Sequence, residues 1–199
     1  MTEELKDGYI FDFISGEQVK ATPEEVEAVQ IFSKQLVEDY GYSKDQIQTR
    51  PQYRVKANPS DTTKSYPLDI IVFSSNKKID TNEYIIVECK KKTRNDGITQ
   101  LQDYLKFSNA YIGVWFNGNE RIFLKKYETK GKVHFEEIPN IPIKGQRLED
   151  IGKFKRKDLK PTHNLKVIFN SFTSVCDGNA GRGPMKLISP FTIFHCCPR

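Results

Sequence analysis

The amino-acid sequence predicts an α/β fold in which helices flank a mixed β-sheet. Three observations predict it. Residues 68–73 and 84–89 form continuous apolar runs, the pattern of strands buried on both faces. Residues 23–40 carry helical periodicity between a cap and a glycine stop. Asn117-Gly118 separates two β-type segments and is a strong hairpin signal.

The first helix is expected over 23–40. Thr22 suits the N-cap and Pro23 the first helical position, and Glu25 completes a T-x-x-E capping box. Val26, Val29, Phe32, Leu36 and Tyr40 form one apolar stripe, and Gly41 fits a left-handed C-cap. A strand is expected around 52–56, followed by a turn at Asn58-Pro59-Ser60-Asp61. Strand 68–73 should be central, because it is apolar on both faces after Asp69. A polar loop then leads to strand 84–89.

Asn95-Asp96-Gly97 opens a helix over 98–107, with Ile98, Leu101 and Leu105 facing inward. Strands follow at 110–116, 121–127 and 132–138. After Pro139, a proline-rich stretch reads as a linker. The expected organisation is a domain over 1–150 and a basic linker or tail over 151–199.

Charge is unevenly placed. The chain of 199 residues carries a formal charge of +5. Residues 1–151 hold 22 Lys and Arg against 24 Asp and Glu, whereas residues 152–199 hold 9 against 2. Nucleic-acid affinity in the body would therefore come from local patches such as Lys90-Lys91-Lys92-Thr93-Arg94, whose plainer reading is a solvated loop. No run approaches a membrane span, and the N-terminus lacks a signal peptide's basic start and apolar core. The expected location is cytoplasmic. Cys89, Cys176, Cys196 and Cys197 form no C-x-x-C pair, and His134, His163 and His195 have no ligand-like spacing. Trp115 is expected in the core.

The two buried runs each carry charges where a half-buried strand would not. Asp69 precedes Ile70-Ile71-Val72, while Glu88 and Lys90 follow Ile85-Ile86-Val87. A charge beside a buried run costs free energy unless something compensates it. Two carboxylates and an ammonium at neighbouring strand ends suit a divalent-metal site for phosphodiester hydrolysis. Asp69 and Glu88 would hold Mg²⁺ or Mn²⁺, and the backbone carbonyl of Cys89 would add an oxygen. Lys90 lies on the same side of its strand as Glu88, because side chains alternate with period two.

Two further readings stay open. Gln100 and Tyr104 share a helix face distinct from the Ile98/Leu101/Leu105 stripe, where they would orient a phosphate or a base or else form an ordinary helix surface. Glu25 is either a capping residue or an extra acid at the metal site.

Pro67-Leu68-Asp69 followed by Glu88-Cys89-Lys90 resembles the PD-(D/E)xK nuclease superfamily. With Pro23-Glu24-Glu25-Val26, Gly41-Tyr42, Gln100-x-x-x-Tyr104 and Asn117-Gly118, the set resembles the N-terminal nuclease domain of type I restriction enzyme R subunits and related restriction-modification proteins. The resemblance covers roughly residues 20–125. It implies a restriction-endonuclease-like core and a Mg²⁺-dependent DNA endonuclease. Asp69 and Glu88 would be metal ligands, Lys90 a catalytic residue, and Glu25 an accessory acid. Gln100 and Tyr104 would contact DNA, with Lys91, Lys92 and Arg94 beside them.

The expected partners are double-stranded DNA and the methylase, specificity or helicase components of a restriction system. Two departures stand out: many relatives carry an arginine just after the helix-start acidic pair, a neighbourhood that Glu27 and Ala28 occupy here, and the chain has no G-x-x-x-x-G-K-[ST] loop. The stretch from Lys157 to His163 resembles a junction to a further domain, a likeness that ends after about Ser171, as in a truncated product. The alternative function is a non-catalytic DNA-binding or assembly module retaining the nuclease fold. A third reading leaves DNA contact to the basic tail alone.

Overall fold

A six-stranded mixed sheet carries a helix on each face. Its strands are β3 (Ile47–Gln48), β6 (Ile70–Phe73), β7 (Glu83–Cys89), β8 (Ile112–Phe116), β9 (Arg121–Thr129) and β10 (Lys132–Ile138). They are ordered β10-β9-β8-β7-β6-β3. The helices are α1 (Gln30–Glu38) and α2 (Ile98–Phe107). Two hairpins stand outside this sheet: β1 (Tyr9–Phe11) with β2 (Gln18–Lys20), and β4 (Arg54–Lys56) with β5 (Ser65–Pro67). The structure is a computed structural model, and it describes residues 4–56 and 65–151. The expected turn at 58–61, the basic tail from 152 onward, His163, His195 and the three later cysteines lie outside the described residues.

Every pairing within the large sheet is antiparallel except β7 with β8. A parallel pair needs a crossover connection, and α2 supplies it. Alternate residues of the central strands serve opposite faces. Ile70, Val72, Ile85 and Val87 pack with Ala28, Val29, Phe32 and Leu36 from the first helix. Ile71, Phe73, Ile86 and Trp115 pack with Leu101, Tyr104 and Leu105 of α2. Both faces of β6 and β7 are thus buried, as their unbroken apolar runs predict. Gly113 sets how closely α2 approaches, since a Cβ there would lie 2.6 Å from Leu105 Cδ1.

The first helix departs from expectation at its start. Helical conformation begins at Pro23, but Glu25–Val29 forms one wide π turn before α1. Thr22 does cap, since its Oγ1 accepts from the Glu25 amide at 3.2 Å. The Glu25 carboxylate does not complete the capping box, because its oxygens accept from Gln30 and Arg50 instead. A wide turn advances fewer degrees per residue, so the stripe loses its phase there. Glu25 turns inward and Val26, expected in the stripe, is 46% exposed.

Other differences concern weak local signals. The expected strand at 52–56 is β4, which pairs with β5 rather than with the large sheet, whose edge is taken by Ile47-Gln48. The β1–β2 hairpin has no alternating apolar run to announce it. The stretch after Pro139 packs rather than linking freely. Ile141 is buried, Tyr42 donates to the Pro142 carbonyl at 2.8 Å, and Tyr40 donates to Asn140 Oδ1 at 2.7 Å.

Candidate active site

Register brings the two carboxylates together. Ile70 pairs with Val87 across the antiparallel β6–β7 ladder, so Asp69 stands opposite Glu88 one step further on. Directly opposed side chains point to the same face. That face is the one α2 covers. Asp69 is held where the ladder ends: its Oδ2 accepts from the Cys89 amide at 2.8 Å. Glu88 lies on β7 opposite Trp115 of β8 and is 1% exposed.

Burial raises both acids. It pushes the Asp69 carboxyl up to about 6, with the Glu24 charge adding to the rise and the Cys89 amide opposing it. Burial and the Asp69 charge push Glu88 up to about 7, against the pull of Lys90. Two carboxylates held this way gain from a nearby cation.

Lys90 supplies one cation. It sits two residues beyond Glu88, is 7% exposed and forms an ion pair with Glu88 Oε1. Desolvation works against its charge, but Glu88 and Asp69 outweigh it and hold the ammonium above its ordinary range. The lysine stem rests on Gly97, where a Cβ would come 2.8 Å from Lys90 Cε. Gly97 also adopts φ +104°, so only glycine meets both demands there.

The loop after Lys90 is pinned from several sides. Trp115 Nε1 donates to the Asp96 carbonyl at 2.7 Å, Asn117 Nδ2 donates to the Arg94 carbonyl at 3.1 Å, and the Lys92 amide donates to Glu27 Oε2 at 3.1 Å. Lys91, Lys92 and Arg94 are exposed on this fixed backbone, Arg94 paired with Asp96. Trp115 is core, as expected, and also a strut for the loop. Asn117 is more than a turn residue: it is buried, and its Oδ1 accepts from the amides of Asn119 and Glu120.

The acidic pair at the first helix divides its work. Glu25 is 6% exposed and locked between Gln30 Nε2 at 2.8 Å and the Arg50 guanidinium at 2.6 Å. Gln30 also donates to Asp12, which is buried and accepts from Ser15 and Thr49. Burial pushes the Glu25 carboxyl up despite these partners. Glu24 is the acid whose charge bears on Asp69, Glu88 and Lys90 together. Sequence reasoning passed over Glu24, although the Pro23-Glu24-Glu25 pairing at the helix start holds both acids.

On α2, Gln100 is exposed and its Nε2 donates to Tyr104 Oη at 2.5 Å. The ring of Tyr104 packs with Leu101 and Leu105 on the sheet rather than on a separate polar face. Its hydroxyl still feels the charges of Glu88, Asp69 and Lys90, after the larger effect of its own burial.

Among the described residues, no three His, Cys, Asp or Glu side chains form a group that could hold a metal ion by themselves. The two opposed carboxylates fit the small protein share typical of Mg²⁺, which keeps most of its waters. The Cys89 thiol is fully buried in the α1-side core, so the backbone of Cys89 is its only means of contact with such an ion.

Comparison with family models decides the relationship. The model of the type I restriction enzyme R protein N terminus matches residues 23–142, more than half of the chain. The chain belongs to this family. The matched span of the restriction-subunit domain runs from Pro23 at the first helical turn to Pro142 and contains all the residues of the site. Searches of curated proteins and of solved structures gave no match. Among the described residues, no helix is long and apolar enough to cross a membrane.

Proposed function

We propose that the domain hydrolyses phosphodiester bonds in double-stranded DNA with Mg²⁺ or Mn²⁺, as the nuclease part of a restriction system. The observation that carries this reading is the opposition of Asp69 and Glu88 across the β6–β7 ladder, with Lys90 on the same face. It is consistent with the PD-(D/E)xK nuclease pattern. Asp69, Glu88 and the Cys89 carbonyl would hold the ion, with Glu24 and Glu25 as accessory acids. Once bound, such an ion supplies an activated water and neutralises charge on the phosphate.

The protein's own groups do the rest. Lys90 donates hydrogen bonds to a phosphate oxygen or to the attacking water, and holds positive charge where negative charge develops. Lys91, Lys92 and Arg94 contact backbone phosphates, giving sequence-independent, salt-sensitive affinity. Gln100 and Tyr104 orient the strand. Methylase, specificity and helicase components supply target choice and DNA movement.

A plasmid-nicking assay with Mg²⁺, Mn²⁺ or EDTA tests the proposal. Nicking is expected only with metal. It should fall at least about a hundredfold in Lys90→Ala, the loss typical of removing one group that stabilises developing charge. Asp69→Ala and Glu88→Ala should behave alike while remaining folded. Salt-sensitive DNA binding with no nicking under any metal would reject hydrolysis and leave a DNA-binding or assembly module.

A further inference from the structure

A cavity of about 550 Å³ opens between β5 and α2, lined by Tyr66, Gln100, Asp103, Tyr104 and Phe107. Tyr66 and Phe107 are each 39% exposed. Their planes lie within 20° of parallel with centroids 6.2 Å apart, and the Tyr104 ring lies 6.0 Å from that of Tyr66. Three aromatic faces therefore border one opening.

Charge decides what such an opening can take. None of the five lining residues is cationic, and the one carboxylate, Asp103, is paired with the Lys106 ammonium at 2.8 Å. No unpaired cation lines the opening to draw a phosphate in. A neutral, flat ring with amino and carbonyl edges fits, because the rings can stack on it while the Gln100 amide and Asp103 carboxylate meet its polar edge. Lys106 beside the cavity is taken up by Asp103, whereas Lys91, Lys92 and Arg94 are exposed on the pinned loop. Phosphate contact and ring contact are thus assigned to different surfaces.

The opening adjoins the acid pair. Tyr66 precedes Asp69 by three residues, at most about 10 Å of chain. Tyr104 borders the cavity and packs in the same cluster as Leu68, next to Asp69, and Trp115, which stands opposite Glu88. A strand whose phosphate rests at Asp69 and Glu88 can place a neighbouring base in the cavity.

We infer that this cavity receives one unstacked nucleobase next to the phosphate at Asp69 and Glu88, so that the domain favours unpaired positions in DNA. Bases inside an intact duplex are stacked and cannot enter, whereas a gap, loop or frayed end presents one at little cost. The inference rests on the nuclease reading for its phosphate but makes a separate claim about the base.

The test uses the full chain stripped of divalent ions, so that no strand is cut. Oligonucleotides carrying 2-aminopurine are titrated as single strand, as duplex, and as duplex with one unpaired 2-aminopurine. Quenching and tighter binding are expected for the single strand and the unpaired site, and neither for the intact duplex. Tyr66→Ala and Phe107→Ala should each weaken binding of the unpaired forms about five- to hundredfold, the range for losing one stacked base. Tyr66→Leu keeps bulk without a ring and should resemble Tyr66→Ala, while thermal melts check that each variant is folded.

Lys91→Ala should weaken paired and unpaired DNA alike. Equal binding of all three substrates, or quenching unchanged in both aromatic variants, would overturn the inference and leave the cavity to another occupant. Ring-dependent quenching without metal-dependent nicking would retain the cavity and reject the nuclease reading. Nicking with no preference for unpaired sites would do the reverse.

Discussion

Replacing Asp69 with asparagine should stabilise the metal-free fold while abolishing its proposed chemistry. Asparagine keeps the shape and an oxygen able to accept from the Cys89 amide, a contact Asp69 makes at 2.8 Å. It removes a charge that burial disfavours. The Asp69 carboxyl rises from its ordinary 3.8 to about 6, first through burial and then through Glu24 and Glu25, with the Cys89 amide and Lys90 opposing.

The sign follows from linkage. A carboxyl raised on folding contributes stability that is complete below its unfolded value and lost as pH climbs through its folded value. The window here runs from 3.8 to about 6. The rise corresponds to about 3 kcal/mol at pH 8, a net figure in which the attraction to Lys90 is already counted. The gain should shrink to about a third of that at pH 4.5. At about 2–4 °C per kcal/mol for a chain of this size, the variant should melt up to about 10 °C higher at pH 8 in EDTA. Mg²⁺ should then raise the melting temperature of the wild type and leave the variant unmoved. A gain equal at both pH values, or a loss at both, would refute the reasoning.

Three further outcomes follow from single contacts. Arg50→Ala strands the buried Glu25 carboxylate and should cost about 3 kcal/mol in urea unfolding, with Glu25→Gln in the same chain recovering most of it. Gly113→Ala drives a methyl group into the fully buried Leu105 and should cost about 1–3 kcal/mol; adding Leu105→Ala should cost less than the two separate losses together. Thr22→Ala removes the oxygen that accepts from the Glu25 amide and should cost about 1 kcal/mol, read by the same unfolding midpoint.

The central sheet was legible because its signals are local and redundant. Runs such as Ile70-Ile71-Val72-Phe73 admit one environment, a strand covered on both faces, and α2 between β7 and β8 follows from the parallel pairing they require. The β3 edge and the outlying hairpin were not legible for the converse reason. Ile47-Gln48 is too short to carry a pattern, and the β1–β2 hairpin depends on Asp12 meeting Ser15, Gln30 and Thr49 across the fold. The stretch after Pro139 reads as a linker by composition, yet Ile141 and the carbonyl of Pro142 find partners at the end of α1. Contacts between residues a hundred positions apart leave no trace in periodicity.

The site divides along the same line, and the π turn shows why. Glu88 sits on β7, and Asp69 and Lys90 adjoin the ends of β6 and β7, so the two-residue period and an antiparallel register suffice to bring them together. Glu24 and Glu25 stand at the start of a helix that widens into a π turn from Glu25, so a regular period assigns faces wrongly there. The widened turn sends Glu25 inward to Gln30 and Arg50, and the charge that reaches Asp69, Glu88 and Lys90 together is that of Glu24. If that division governs the chemistry, Glu24→Gln should weaken metal-dependent nicking with little change in unfolding midpoint, whereas Glu25→Gln should shift the midpoint more than the nicking rate. The reverse pattern would return the accessory role to Glu25.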